Sequence, residues 1–212
     1  MTEKHRLIYE ILAVGRRLDG KGLIAGTGGN MSAVYRDHML ITASGKCKGV
    51  LQPGDVTETD LSGNVLKGSK PARDIRMHLA VYQLRPETRA IVHMHPPVLT
   101  GFAITDYAFE EMFLPEVMLE LRGIAVARFA MPTTAEVAEA VSEALRKKPH
   151  AKAIVLKGHG AVALSDEGVM DACYKMEVLE MTAKALFVAS VIGEVQPLTE
   201  KQVSIVKAYT NL

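Results

Sequence analysis

The 212-residue chain contains no tryptophan and only two cysteines, Cys47 and Cys173. With no CxxC pair, a cysteine-ligated metal is not on offer, and both thiols are expected to be reduced and packed. Charge of one sign is also missing: 25 basic residues face 24 acidic ones, and the longest basic run is Arg146 to Lys148. That balance excludes the basic face that a nucleic acid or an anionic membrane surface requires. There is no long apolar run. The N-terminal "MTEKHRLIYEILAVGRRL" mixes charges into its apolar residues, which excludes a signal peptide, and no later segment reaches membrane-spanning length. A cytoplasmic location is therefore expected. Repeats, low-complexity tracts and linkers are absent as well, so the 48% hydrophobic content predicts one substantial core and a single domain over residues 1–212.

What is present is patterned. Leu7, Ile8, Ile11, Leu12 and Val14 recur at helical spacing and stop near Gly20 and Gly22. From Asn30 to Asp60 the chain alternates and turns, at Arg36-Asp37 and again at "SGN", as hairpins do. "ARDIRMHLAVYQLRP" returns to helical periodicity up to Pro86, and "RAIVHMH" is a β-branched run that stops at Pro96-Pro97. "TTAEVAEAVSEALRKK" predicts a helix with capping-box spacing from Thr133 to Glu136. "AKAIVLKGHGAVALS" reads as two strands joined at Gly158-His159-Gly160, followed by one long and one short helix. Helices before, between and after a block of strands, without strict βαβ alternation, predict helices packed on a largely antiparallel sheet.

Only seven histidines are available, and two of them, His93 and His95, stand one residue apart at a strand end. Alternate strand residues share a face, so both imidazoles point the same way. His159 ends a second apolar strand between two glycines, and three imidazoles from two strand ends would make an open metal site. An all-nitrogen set favours zinc over magnesium or calcium. Asp74, in the first turn of the helix that begins at "PARDIRMH", is the candidate acid and base, with His78 one turn later. His5, His38 and His150 lie in polar surroundings and receive no role. "GTGGN", Gly26 to Asn30, and "ASG", Ala43 to Gly45, offer backbone N–H groups suited to a phosphate or another anion.

"GTGGNMS", "LITASG", "KPARDIRMHLAVYQLRP", "AIVHMHP" and "LKGHGAVAL" occur in the order and rough spacing of the zinc-dependent class II aldolase and adducin-head superfamily. Over nearly its whole length the chain most resembles the L-fuculose-1-phosphate aldolases. The resemblance implies a three-layer α/β/α fold, a C4 homotetramer with active sites at subunit interfaces, and cleavage of a ketose 1-phosphate to dihydroxyacetone phosphate and an aldehyde. It also implies zinc held by His93, His95, His159 and Asp74, with Asp74 moving protons. The phosphate positions fall on Gly29, Asn30, Ser44, Gly45, Ala72 and Arg73.

Three departures stand out. Ala72-Arg73-Asp74 replaces Ser-Ser-Glu, which removes two phosphate-binding hydroxyls and leaves Arg73 as a substitute contact. An aspartate at position 74 is also the choice of ribulose-phosphate 4-epimerases, although the separation of His95 from His159 is shorter than theirs. The proton-donating tyrosine of the aldolases has no counterpart near "LPEVMLEL": Met118 or Leu119 takes its place, Glu116 and Glu120 are alternatives, and Tyr209 is the nearest aromatic in the tail. The superfamily admits epimerases and decarboxylases on the same scaffold, and non-catalytic adducin-type assembly modules that lack the histidines.

Overall fold

The computed structural model describes residues 1–107, 109 and 113–210. Eight strands form one sheet: β1 (Asn30–Tyr35), β2 (His38–Thr42), β3 (Val56–Asp60), β4 (Val65–Lys67), β5 (Ala90–Met94), β6 (Ile124–Ala127), β7 (Ala153–Leu156) and β8 (Gly160–Ser165). Their order is β4-β3-β2-β1-β5-β8-β7-β6, and every pairing is antiparallel except β6 with β7. That exception follows from connectivity. Helix α5 (Ala135–Lys147) lies between β6 and β7 in the chain, and a crossover helix returns the chain parallel to where it left.

The remaining helices are α1 (Glu3–Gly20), α2 (Ile75–Leu84), α3 (Pro97–Ala103), α4 (Pro115–Leu121), α6 (Val169–Ile192) and α7 (Glu200–Thr210). Strand alternation divides the core in two. Val92 and Met94 point to one face, where Leu7, Ile11 and Leu18 of α1, Leu99 of α3 and Met176 and Leu179 of α6 pack on them. Ile91, Ile154, Val162 and Leu164 point to the other, under Met77 and Val81 of α2 and Val141 and Leu145 of α5. The result is the mostly antiparallel sheet with packed helices that the pattern predicts, in the three layers that the resemblance implies. Because helices cover both faces, all five β5 residues are buried, which explains an unbroken apolar run in place of alternation.

Several local expectations change. Asp74 is the N-cap of α2 and not a residue of its first turn, and its side chain makes no capping bond. The capping box does not form: α5 starts at Ala135, its N-cap Thr134 makes no cap bond, and the Thr134 hydroxyl donates to Met131 O at 2.7 Å. Thr133 is taken instead into a left-handed turn, φ 71°, a conformation that a β-branched residue adopts at a cost. Pro96-Pro97 both ends β5 and starts α3, with Pro96 as its N-cap. The segment "PEVMLEL" is helix α4, a period too short to read from the sequence. Both cysteines are free, Cys173 buried and Cys47 half-buried. Among the described residues no helix is long and apolar enough to cross a membrane.

Candidate metal centre and active site

β1 and β8 flank β5, and register pairs His93 with Asn30 on one side and Val162 on the other. His93 is fully buried. Its Nδ1 donates to Ala161 O at 2.9 Å, which fixes the ring hydrogen on that nitrogen and turns the Nε2 lone pair inward. Among the described residues Nε2 has no hydrogen-bond partner. A buried polar atom left unpaired costs about 1–3 kcal/mol, so this one points to a ligand that the chain does not itself supply.

His95 and His159 complete a triangle. Ring centroids lie 4.9 Å apart for His93 and His95, 4.8 Å for His93 and His159, and 4.9 Å for His95 and His159. One donor nitrogen from each falls within 4.8 Å of the others. Glycines make the triangle possible. A Cβ on Gly160 would come 2.6 Å from Met94 O and 2.8 Å from His95 Cδ2, and one on Gly28 would meet His95 Nδ1 at 3.2 Å. Burial pushes all three imidazoles down from 6.5, His93 to about 3, with mutual repulsion among the rings adding to it for His93 and His95. Neutral imidazole is the form that binds a metal.

Asp74 closes the fourth side. Its Oδ2 lies 3.9 Å from His93 Nε2 and accepts from Asn30 Nδ2 at 2.8 Å, while Oδ1 is buried and unpartnered. Burial opposes its ionisation, yet the facing His93 and the Asn30 amide hold the carboxyl below its ordinary value. Three neutral imidazoles and a carboxylate, with an orphaned lone pair among them, fit a borderline ion such as zinc.

Behind Asn30 runs a chain of buried hydrogen bonds that the sequence did not reveal. Asn30 Nδ2 must donate to the carboxylate, so its Oδ1 accepts from His78 Nε2 at 2.5 Å. Burial holds His78 at about 4, so the ring is neutral and its Nδ1 accepts from Ser32 Oγ at 2.7 Å. Ser32 then accepts from the Tyr82 hydroxyl at 2.7 Å. Every donor in the series Tyr82, Ser32, His78, Asn30 faces toward Asp74, which fixes the rotamer of the amide and the tautomer of the ring.

A cavity of about 280 Å³ opens beside the histidines and gathers most of the sequence-predicted residues: Gly29, Asn30, Ser44, Gly45, Ala72, Arg73, Asp74, His95 and His159. Their parts differ. Gly29 and Gly45 have positive φ, and among the described residues no acceptor meets their N–H groups, whereas those of Ser44 and Ala72 are already bonded to Lys70 O and Thr42 O. Ala72 thus presents only a methyl, Arg73 is exposed, and the Asn30 amide is occupied at both ends. Lys48, Pro132 and Thr133 line the cavity too, none of them anticipated; Lys48 follows the "ASG" turn closely, which is the signal that could have found it. Glu116 and Glu120 are exposed on α4 and Tyr209 is 85% exposed on α7; none of the three is among the cavity residues.

Residues 9–187 match the family described as Class II Aldolase and Adducin N-terminal domain, and the chain belongs to it. Within that class the chain is 35% identical, over 165 residues covering 78% of it and 87% of the relative, to an L-fuculose phosphate aldolase of Methanococcus maripaludis. It is 29% identical over 194 residues, 89% of this chain and 87% of the relative, to a 3-oxo-tetronate 4-phosphate decarboxylase of Pectobacterium atrosepticum. A solved L-fuculose 1-phosphate aldolase superposes with a TM-score of 0.88 at 26% identity, covering 100% of this chain and 98% of that one.

Proposed function

We propose that the protein is a zinc-dependent aldolase that cleaves a ketose 1-phosphate, L-fuculose 1-phosphate or a close analogue, into dihydroxyacetone phosphate and a small aldehyde. The orphaned Nε2 of His93, facing His95, His159 and Asp74, is the observation that carries the reading. His93, His95 and His159 would hold the ion, with Asp74 as the further ligand before substrate enters. When bound, the ion would supply a Lewis acid for the negative charge that develops on the substrate oxygens.

The chain's own groups then have defined tasks. The cavity receives the phosphate at the Gly29 and Gly45 N–H groups. Breaking the bond between C3 and C4 leaves its electron pair on C3, as an enediolate, while the C4 hydroxyl gives up its proton and becomes the aldehyde. That proton passes to the free Oδ1 of the Asp74 carboxylate, and the carboxylic acid so formed delivers it to C3, giving dihydroxyacetone phosphate and restoring the carboxylate. The Asn30 and His78 bonds keep that carboxylate ionised and aimed between turnovers.

Decarboxylation is the second reading, favoured by the relatives named for it. Loss of carbon dioxide from a 3-oxo-tetronate 4-phosphate leaves the same enediolate of dihydroxyacetone phosphate, and no hydroxyl proton has to be removed. A site without the aldolase tyrosine therefore suits it. Incubating the zinc-loaded protein with dihydroxyacetone phosphate and a panel of small aldehydes separates the two. Carbon–carbon bond formation with an aldehyde supports the aldolase; its absence with every aldehyde, together with carbon dioxide release from the oxo acid, replaces it. The metal is checked apart from turnover: about one zinc per chain is expected, with His93→Ala losing most of it.

A further inference from the structure

We propose that Lys48 is the cation that binds the substrate's phosphate, in place of the hydroxyl pair absent at Ala72-Arg73. The proposal rests on the phosphorylated substrate proposed above. Lys48 is only 2% exposed, yet it lines the cavity beside Gly28, Gly29, Ser44 and Gly45. Its Nζ donates to Thr27 O at 2.8 Å and to Lys46 O at 2.6 Å, one carbonyl from each of the two glycine loops. An ammonium has three N–H bonds, so one donor remains beyond these two.

The charge is uncompensated. Among the described residues no carboxylate lies within 4.0 Å of Lys48 Nζ, whereas Lys152, also buried, pairs with Asp166. Two carbonyl dipoles satisfy hydrogen bonds but do not neutralise an ion, and removing an unpaired charge from water costs several kcal/mol. Burial accordingly lowers the Lys48 pKa. A dianionic phosphate in the cavity supplies the missing counter-charge, and Gly29 and Gly45, whose N–H groups no acceptor meets among the described residues, line that same cavity. Arg73, by contrast, is exposed, and its attraction is screened by solvent. The consequence is specificity. Phosphomonoesters gain from Lys48, and unphosphorylated sugars meet a buried charge with nothing to offer it.

The test is titration of inorganic phosphate by calorimetry into the wild-type protein and into Lys48→Met and Lys48→Gln, with zinc content and melting temperature measured on the same samples. Losing a charged hydrogen bond should weaken binding by about 10- to 100-fold in both variants, at unchanged zinc content. Gln keeps an amide donor for the loop carbonyls, so a purely structural staple would leave its phosphate affinity intact, and that result overturns the proposal. Absence of saturable phosphate binding by the wild-type protein overturns it as well. If Lys48→Met does not fold, Lys48→Gln alone decides. Failure of the reaction reading is seen separately: phosphate binding that depends on Lys48, with no chemistry on any sugar phosphate, leaves this assignment standing.

Discussion

Asp74 gives Oδ2 to the Asn30 amide and keeps Oδ1 unpartnered, so its two oxygens have separate work: one is held and one is free. Substituting Asp74→Asn keeps the size and removes the base. Turnover is expected to fall about 10²- to 10⁴-fold with the fold intact, and turnover near wild type with zinc in place would remove Asp74 from the chemistry. The cluster of His93, His95 and His159 was legible in the sequence because strand period puts His93 and His95 on one face and His159 stands between glycines at the end of a second strand. Lys48, Ser32 and Tyr82 were not, and His78 was placed near Asp74 without its partner, since nothing local says that a lysine four residues from Ser44 ends up under two loops, or that His78 meets Asn30 from another element.

At the level of elements, the site depends on strand ends that approach closely. Gly160→Ala would drive a methyl into Met94 O and His95 Cδ2, and backbone atoms do not give way as a flexible side chain does. A loss of about 1–3 kcal/mol in a urea titration is expected, with reduced zinc content. Gly101→Ala in α3, where a Cβ meets nothing within 4 Å, is the control and should be neutral or slightly stabilising. A second element-level contact joins α1 to β3 through the ion pair of Lys4 and Glu58. The Lys4 hydrogen bond outweighs burial and holds the Glu58 carboxyl below 4.5. A lowered carboxylate contributes stability that is present above its unfolded value and is lost as pH falls through the folded one. Lys4→Met should therefore flatten the dependence of the urea midpoint on pH below about 4.5, and an unchanged acid limb would contradict that link. Secondary structure here was legible where the period ran long, as in α1, or where a β-branched run stopped at a proline pair, as in β5, whereas α3, α4 and β6 were hidden by their few residues.

For the whole molecule, the C-terminal half of α6 leaves Phe187 at 56%, Val188 at 53%, Val191 at 73% and Ile192 at 80% exposure, and Ile205 on α7 at 61%. The four residues of α6 form an exposed apolar patch of the kind an assembly interface covers. A second copy of this chain is the occupant expected to cover it. Val191→Asp with Ile192→Asp is expected to lower the mass seen by light scattering without unfolding the protomer. A wild-type protein that is already monomeric at the same concentration would defeat the reading.

The sequence by itself determined the helix-and-sheet architecture, through periods of two and of three to four, and it singled out the three clustered imidazoles, because HxH on a strand and a histidine between glycines act through local geometry. Tertiary structure alone decided which lone pair of His93 is free, through Ala161 on the neighbouring strand, and which residues aim Asp74, through β1 and α2. It also decided where Lys48 leaves its charge. Each of these depends on burial and on partners distant in the chain, and a buried group's chemistry is fixed by what surrounds it rather than by what precedes it.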